Sequence, residues 1–314
     1  MPWRSAAEHG PHLGAHDPAR TTGTARRGAA APVAAGHPWL YLAVPLIMLG
    51  TFTYVPVVSM ISYSFTDWDG VSPDRTYVGL DNYLRLFTRP ELFSVFATSL
   101  FYLVAALLQI ALALYFAAVL SFRTRLRNFF KGVIFFPYLL NGVAVAFVFL
   151  YLFQPGGTLD QVLRLVGIDA EILWLGNPDL ANVSLSGVSI WRFMGLNFVL
   201  FLGAIQSVPS ELHEAATLDG ASRPQILWHI IIPSIRPIIS LSLILGVSGS
   251  LSVFEIPYIM TGGSGETKTF VIQTVKLAFQ FNKTGLASAA AVVLLVIILL
   301  ITWVQRRVVP EEKP

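Results

Sequence analysis

The chain has 314 residues, of which 54% are hydrophobic and only 12% are charged, with a net charge of +3 and a mean hydropathy of +0.65. Soluble domains carry about a quarter charged residues, so this composition excludes an ordinary soluble domain and indicates an integral membrane protein. The absence of cysteine excludes disulfide frameworks, thiolate metal sites and cysteine nucleophiles. No basic stretch interleaved with aromatic residues is present, which excludes nucleic acid as a partner.

The N-terminal region, residues 1–38, is rich in Ala, Gly, Pro, His and Arg and shows no apolar periodicity. This composition predicts a disordered cytoplasmic tail. The apolar run that follows is about twice the length of the apolar region of a signal peptide, so the first helix is expected to stay uncleaved. The tail contains His9, His12 and His16, but a segment punctuated by Gly and Pro is not expected to form the helix that would align them on a metal.

Apolar runs longer than the roughly 20 residues needed to cross a bilayer recur along the rest of the chain. Four of them contain no Asp, Glu, Lys or Arg, at residues 39–65, 93–120, 132–159 and 284–305. Two more, 180–208 and 237–260, contain only Arg192 and Glu255 as charged residues. We therefore predict an all-α integral membrane protein whose six transmembrane helices form a domain at residues 39–306, followed by a cytoplasmic tail at 307–314.

The lysines and arginines are distributed unevenly over the predicted connections. Thirteen of the 21 lie on the side that would hold both termini, seven lie on the other side, and Arg192 lies within a span. Cytoplasmic loops of membrane proteins carry the excess of Lys and Arg. Both termini are therefore predicted to be cytoplasmic.

The connection between the fourth and fifth spans, residues 209–236, gathers polar residues that the chain otherwise lacks. Its first part predicts a short helix that stops at Gly220. The spacing of Ser222 and Gln225 predicts a capping box at the start of a second helix. An amphipathic hairpin lying in the lipid interface is one interpretation of this pattern.

The charges of this connection favour a protein partner over lipid. Its polar face carries Glu211, Glu214 and Asp219 against a single Arg223, whereas a helix resting on an anionic leaflet is expected to be basic. Small alanine side chains on the first helix let another backbone come close. A protruding acidic helix of this kind fits a groove on a protein partner.

The same stretch resembles the EAA loop of the permease subunits of bacterial ATP-binding-cassette importers. The resemblance lies in fixed residue types across twenty positions, namely Glu214-Ala215-Ala216, Gly220, Ile230 and Ile232-Pro233. Asp219-Gly220-Ala221 is similar to the carbohydrate-importer branch, specifically its maltose-permease-like subunit, as are the stretches YVGLDNYLRLF from Tyr77 and FQPGGTLDQVLRLVG from Phe153. The chain departs from the branch after the fifth span, where Ser264 follows two glycines in place of the proline that is frequent there.

The resemblance implies a type I ATP-binding-cassette importer permease fold in a bacterial cell membrane. It implies a coupling region that seats in a cleft of a separate ATPase subunit, formed by Glu214, Ala215, Ala216, Asp219, Gly220 and Pro233. ATP would be bound by that partner, so this chain would be no enzyme and would hold no cofactor. The implied partners are a second permease subunit in a heterodimer, a dimer of cytoplasmic ATPase subunits, an extracytoplasmic sugar-binding protein and a carbohydrate substrate.

Polar residues inside the spans are candidates for a substrate pathway, because intramembrane polar groups usually face the bundle interior. Ser248, Ser252 and Glu255 are spaced i, i+4 and i+7, which predicts one polar stripe on the fifth span; close helix packing is the alternative. Glu255 needs water or a partner at that depth. Arg192 is expected either to form an ion pair or reach the head groups, or to line the pathway.

Five further residues could contact a sugar. Asn197 has no charge to hide and can hydrogen-bond a hydroxyl, and Tyr138 and Asn141 of the third span are candidates of the same kind. Trp191 and Phe193 could stack on a pyranose ring, although aromatic residues in membrane helices more often serve packing.

Other classes of function fit the sequence less well. The stretch GGSGETKT resembles a phosphate-binding loop, but Thr267 stands where that motif needs glycine before the lysine. No Ser-His-Asp set or pair of intramembrane carboxylates is present for catalysis. A self-sufficient secondary transporter or channel usually shows internal repeats, and none is evident between the two halves. Import of a solute other than sugar stays open within the favoured class.

Overall fold

A computed structural model describes residues 38–93, 95–121, 127–169 and 171–308 of the chain. The predicted N-terminal tail, apart from Pro38, lies outside the described residues together with its three histidines. Arg123 and Arg125 of the second connection also lie outside them, as do residues 309–314 of the predicted C-terminal tail.

The described residues form helices and turns, with one isolated antiparallel bridge between Thr66 and Tyr77. The first eight helices are α1 (Pro38–Leu49), α2 (Val55–Tyr63), α3 (Asp81–Thr88), α4 (Pro90–Phe93), α5 (Phe96–Ser121), α6 (Arg127–Leu139), α7 (Gly142–Leu152) and α8 (Thr158–Leu165). The others are α9 (Pro178–Gln206), α10 (Ser210–Leu218), α11 (Arg223–Ile226), α12 (Ile232–Ser234), α13 (Arg236–Leu251), α14 (Glu255–Thr261), α15 (Phe270–Val275) and α16 (Thr284–Val308). Turns of π-helix occupy Gly50–Tyr54, Leu227–Ile231 and Lys276–Gln280, and a 3₁₀ turn occupies Gly265–Thr267.

Five helical stretches of the described chain are long and apolar enough to cross a membrane, at Tyr41–Tyr63, Phe96–Ser121, Pro178–Gln206, Arg236–Thr261 and Thr284–Arg307. A sixth is a broken pair, Asn128–Leu139 and Gly142–Leu152, whose halves are bent by 97°. The prediction of six spans agrees with this architecture when the pair counts as one span. The third predicted span, residues 132–159, is interrupted in the structure: α6 ends at Leu139, and the extended backbone of Asn141 separates it from α7.

The chain divides into two units at Thr51. The described part of the first unit is α1, an apolar helix with Pro45 inside it. The second unit begins at Phe52 and contains helices α2 to α16. Its centre is the contact of α5 with α9, against which α13 and α6 also pack.

The pairing of α5 with α9 is close because α5 presents small side chains. Ala113 and Ala117 of α5 are fully buried against a cluster that includes Phe198 and Phe201 of α9. The two helices run in the same direction: Thr98 and Asn182, near their starts, both donate to the carbonyl oxygen of Glu266, at 3.0 Å each. Their ends, Leu120 and Ile205, share one apolar cluster with the connection that follows α9.

The connection between α7 and α9 is organised around a buried carboxylate. Asp160 accepts a hydrogen bond from the amide of Gly156 at 2.8 Å and one from the indole of Trp174 at 2.9 Å. These bonds, the indole bond foremost, hold the pKa of Asp160 below its ordinary value of 3.8. The ring of Trp174 stacks on Phe153 at 5.9 Å, so α8 and the loop after it form one packed end of the bundle.

Candidate functional site

Arg192 and Glu255, the two charged residues that the sequence places inside spans, form an ion pair. Nη1 of Arg192, in the middle of α9, lies 2.7 Å from Oε2 of Glu255, the first residue of α14. The side chain of Arg192 is 14% exposed and that of Glu255 is 39% exposed. Pairing stabilises both charges, which would be costly alone in hydrocarbon. The expectation that Arg192 forms an ion pair is confirmed, and Glu255 has the partner that it was predicted to need.

The ion pair lies directly on Gly142, at the break between α6 and α7. A Cβ atom at residue 142 would overlap Oε2 of Glu255 and Nη1 of Arg192, so only glycine leaves room for the pair. The neighbouring Asn141 caps α7, because its Oδ1 accepts from the amides of Val143 at 2.9 Å and Ala144 at 3.4 Å. The cap starts a new helix in a new direction, and α7, α9 and α14 meet at the pair.

A cavity of about 470 Å³ opens beside the ion pair and is lined by α5, α6, α9, α13 and the start of α14. Its polar lining residues are Tyr102, Gln109, Tyr138, Ser189, Arg192, Asn197, Ser250, Ser252 and Glu255. Phe193 and Phe254 add aromatic faces. Hydroxyl, amide and aromatic groups together can hydrogen-bond and stack on a polar organic solute. Among the described residues no group of three His, Cys, Asp or Glu side chains could hold a metal ion.

Five of the residues predicted for the substrate pathway line this cavity: Asn197, Tyr138, Ser252, Arg192 and Glu255. Asn197 is buried, with 6% of the residue exposed. Tyr138 reaches the cavity from α6, where its ring lies 6.5 Å from that of Phe193. Residues from three separate spans therefore meet around one space.

The other three predicted pathway residues lie elsewhere. Trp191 packs edge-on against Phe149 at 5.2 Å, is 39% exposed and is not among the lining residues. Asn141 is occupied as the cap of α7. Ser248 does not line the cavity, and the prediction of one continuous stripe is wrong, because α13 ends at Leu251 and the chain bends before Glu255.

Sequence reasoning missed the glycine under the pair and four polar lining residues, Tyr102, Gln109, Ser189 and Ser250. Tyr102 and Gln109 of α5 are seven residues apart, which places them on one helical face, so their spacing could have identified them. Ser189 precedes Arg192 by three residues on α9 and could have been found in the same way. The hydroxyl of Tyr102 is buried without a hydrogen-bond partner among the described residues, although it borders the cavity. No sequence signal marks Gly142 beyond the presence of glycine in a span.

The second candidate region is the connection of residues 209–236, and its local structure agrees with the prediction. Helix α10 ends at Leu218, and Gly220 follows with φ of +81°, a left-handed conformation that favours glycine. The capping box of Ser222 and Gln225 is confirmed, and the amide of Ser222 donates to Oε1 of Gln225 at 2.8 Å. The result is a helix, a glycine turn and a second helical segment.

This connection is anchored on one side and exposed on the other. Ile226, Ile231 and Ile235 are buried in the cluster that contains Phe198 and Phe201 of α9. The second helical segment therefore packs on the helix bundle, which the hairpin resting in lipid does not require. The opposite side of α10 is free for a partner: Glu214 is exposed, and Leu218 is 89% exposed. Of the other predicted coupling residues, Ala216 packs against the cluster, and Ala215 and Asp219 are exposed.

The chain is similar to known membrane transport proteins over most of its length. A family model described as binding-protein-dependent transport system inner membrane component matches residues 109–313. A probable ABC transporter permease protein of Bacillus subtilis, YurN, is 33% identical over 80% of this chain and 88% of its own. The multiple sugar-binding transport system permease protein MsmF of Streptococcus mutans is 32% identical over 80% of this chain and 87% of its own.

A solved structure shares the fold. It is a bacterial ABC transporter involved in the import of the acidic polysaccharide alginate, and it matches with a TM-score of 0.73 at 25% identity. The match covers 86% of this chain and 96% of the other. This chain therefore shares the fold of an ABC transporter component.

Proposed function

The chain belongs to the family of inner-membrane components of binding-protein-dependent transport systems, and from this premise we propose that it is a permease subunit of an ATP-driven carbohydrate importer. In this proposal it forms half of the translocation pathway. A separate subunit hydrolyses ATP and drives alternating access of the pathway. The sugar is supported by MsmF, whose name assigns it to a multiple sugar-binding transport system, and by the alginate transporter that shares the fold.

The observation that carries the proposal is the two-sided connection of residues 209–236. Its buried isoleucines join it to α5 and α9, which also line the cavity. Its other side presents Glu214 and Leu218 to solvent. A force applied to α10 from outside the bundle would reach the cavity walls through rigid, packed helices. The connection can therefore transmit a movement of the ATPase subunit to the helices that line the cavity.

We place the coupling region at Glu214, Ala215, Ala216, Asp219, Gly220 and Pro233. Glu214 and Leu218 are one helical turn apart and border a surface groove of about 410 Å³ together with His213 and Thr217. A carboxylate beside an exposed leucine offers a partner one charged anchor and one apolar anchor. Gly220 then fixes the angle at which α10 projects, since its φ of +81° strains other residues.

We place the substrate pathway at the cavity beside the ion pair. Asn197 and Tyr138 would hydrogen-bond sugar hydroxyls, and Phe193 would stack on the ring. We assign these lining residues to binding of the solute and no catalytic role to any of them. A second permease subunit would supply the other wall, because a pathway formed by one subunit of a heterodimer is open on one side.

The proposal includes the remaining partners and the orientation of the chain. The excess of Lys and Arg supports a cytoplasmic location for α10 and both termini in a bacterial cell, where a dimer of ATPase subunits would bind α10. The extracytoplasmic sugar-binding protein would then meet the opposite end, which is organised around Asp160 and Trp174. ATP would be held by the ATPase subunits and no cofactor by this chain.

The test is sugar-stimulated ATP hydrolysis by the complex reconstituted in lipid vesicles. Glu214→Ala removes the charged anchor of α10 and is expected to lower the stimulated rate by about tenfold or more, the effect of losing a hydrogen bond to a charged group. Asp74→Ala is the matched control, because it removes an exposed carboxylate from the loop between α2 and α3. It is expected to leave the rate unchanged.

Two results would contradict the proposal. One is an unchanged stimulated rate in Glu214→Ala with the ATPase subunits still bound. The other is uptake that persists without ATP and collapses with the proton gradient, which is the behaviour of a secondary transporter.

A further inference from the structure

We propose that the Arg192–Glu255 pair makes the cavity selective for uncharged sugars, and that Glu255 and Gly142 are specificity-determining residues that keep anionic sugars from binding. The inference depends on the proposed function, because it concerns the solute that the cavity admits. It names the class of that solute by its charge.

The two charged residues of the cavity lining are paired with each other. Arg192 is the one cation among the described lining residues and Glu255 is the one anion. With Nη1 and Oε2 at 2.7 Å, the two charges cancel inside the cavity wall. On another side the guanidinium lies over the ring of Phe193, with its Cζ 5.0 Å from the ring centroid. No free cation is therefore presented to a solute by the described lining.

An anionic solute loses hydration free energy when it enters this cavity. A carboxylate that leaves water for a partly buried site needs a cation or several hydrogen-bond donors in exchange. Here its strongest partner is already bound, and the carboxylate of Glu255 repels it. A sugar hydroxyl meets no such cost, since Asn197, Tyr138 and Gln109 offer neutral donors and acceptors. The wall thus discriminates by charge without a steric barrier.

Gly142 provides the space that the ion pair occupies. It has no side chain, and the pair occupies the volume where a Cβ atom would lie. Any larger residue must push Arg192 and Glu255 apart or move one of them. Gly142 therefore positions the pair, and an alanine there is expected to release Arg192 towards the cavity without removing either charge.

The fold alone does not decide whether the cavity favours uncharged or anionic sugars. The transporter that shares it at a TM-score of 0.73 is described as importing an acidic polysaccharide. The charge of the cavity wall is set by side chains, so chains of one fold can differ in it. In this chain the carboxylate of Glu255 neutralises Arg192, the cation of the described cavity lining.

The experiment uses the complete complex in lipid nanodiscs without nucleotide. Two probes are titrated calorimetrically, a short oligogalacturonate and an uncharged galacto-oligosaccharide of equal length, at low and at high salt. The variants are Glu255→Gln, which leaves Arg192 with a neutral partner, and Gly142→Ala, which separates the pair. Gly187→Ala is the matched control, because Gly187 lies on α9 outside the cavity lining and a Cβ atom there meets no atom within 4 Å.

The wild-type complex is expected to bind the uronate no more tightly than the uncharged sugar. Both Glu255→Gln and Gly142→Ala are expected to increase affinity for the uronate by about tenfold or more, as for a new hydrogen bond to a charged group. The gain should shrink at high salt, because a partly exposed charge pair is screened. Gly187→Ala should behave as the wild type.

The inference is overturned if the wild-type complex prefers the uronate in a salt-dependent way, or if Glu255→Gln gains no affinity for it. If Gly142→Ala does not assemble, Glu255→Gln decides, because it keeps the shape of the side chain. Failure of the proposed function is a separate result: a complex that binds sugars in this pattern but shows no ATP-dependent uptake would keep the inference and remove the importer.

Discussion

The guanidinium of Arg192 and the carboxylate of Glu255 lie 2.7 Å apart, although 63 residues separate them in the chain. The contact joins the middle of α9 to the first residue of α14 and rests on the break between α6 and α7. Three predicted spans are therefore fixed to one another by one polar contact inside an apolar bundle.

The two partners of this pair are expected to differ in how much their removal destabilises the protein. Glu255→Ala leaves Arg192, the more buried partner at 14% exposed, with an unpaired charge. Arg192→Ala leaves Glu255, which at 39% exposed can find water. We expect Glu255→Ala to lower the free energy of unfolding by about 1–3 kcal/mol and Arg192→Ala by less.

The double variant tests whether the two residues act as a pair. It is expected to be more stable than the sum of the single losses predicts, because neither charge is then left alone. Thermal unfolding of the four proteins in detergent measures this. Additive losses would show that the ion pair has no energetic coupling.

The contact of α6 with α9 is expected to depend on Gly195. A Cβ atom there would lie 2.5 Å from the carbonyl oxygen of Ile134 and 2.9 Å from Cα of Phe135, and backbone cannot yield as a side chain does. Gly195→Ala should therefore destabilise the protein by about 1–3 kcal/mol. Gly203→Ala on the same helix is the control, since its Cβ meets no atom within 4 Å. Equal melting temperatures for the two variants would contradict the close packing.

Substrate affinity is expected to depend on Asn197 and not on Ser248. Asn197 lines the cavity, and Ser248 does not. Loss of one neutral hydrogen bond weakens binding by about two- to tenfold, so Asn197→Ala should raise the KM for uptake by that factor. Uptake of the sugar captured by the binding protein measures this in vesicles. A larger effect from Ser248→Ala would move the pathway to another face of α13.

The connection organised by Asp160 is expected to lose stability in acid. Its folded pKa lies below the ordinary 3.8, so its contribution is complete above pH 3.8 and is lost as the pH falls through the folded value. At neutral pH, Asp160→Asn should lower the melting temperature, because an amide cannot replace a carboxylate that accepts from both Trp174 and Gly156.

Below pH 3.8 the difference between Asp160→Asn and the wild type should narrow as the wild-type carboxyl protonates. Asp169→Asn is the control: its side chain is 89% exposed and pairs with Arg164 at 3.2 Å, a surface contact worth little. Identical melting curves of Asp160→Asn and the wild type at neutral pH would show that the buried carboxylate is dispensable.

Several features could be predicted from the sequence because their causes are local. Length and apolarity of a run decide whether it can cross a bilayer, so five of the six predicted spans end within three residues of the observed helices, whereas the third, predicted at 132–159, is broken and ends at Leu152. The helix, glycine turn and capping box after α9 depend on residues within four positions of each other. The pattern of the EAA loop is likewise contained in twenty consecutive positions.

Other features were decided by the tertiary structure. The sequence marks Arg192 and Glu255 as charges that need partners, but only the packing of α9, α7 and α14 brings them together over Gly142. The polar stripe on the fifth span was predicted from helical spacing, but α13 ends at Leu251, and Ser252 and Glu255 line the cavity while Ser248 does not. The physical reason is range: apolar length and capping act between neighbours in the chain, whereas charge neutralisation and cavity shape depend on side chains that meet only after the helices have packed.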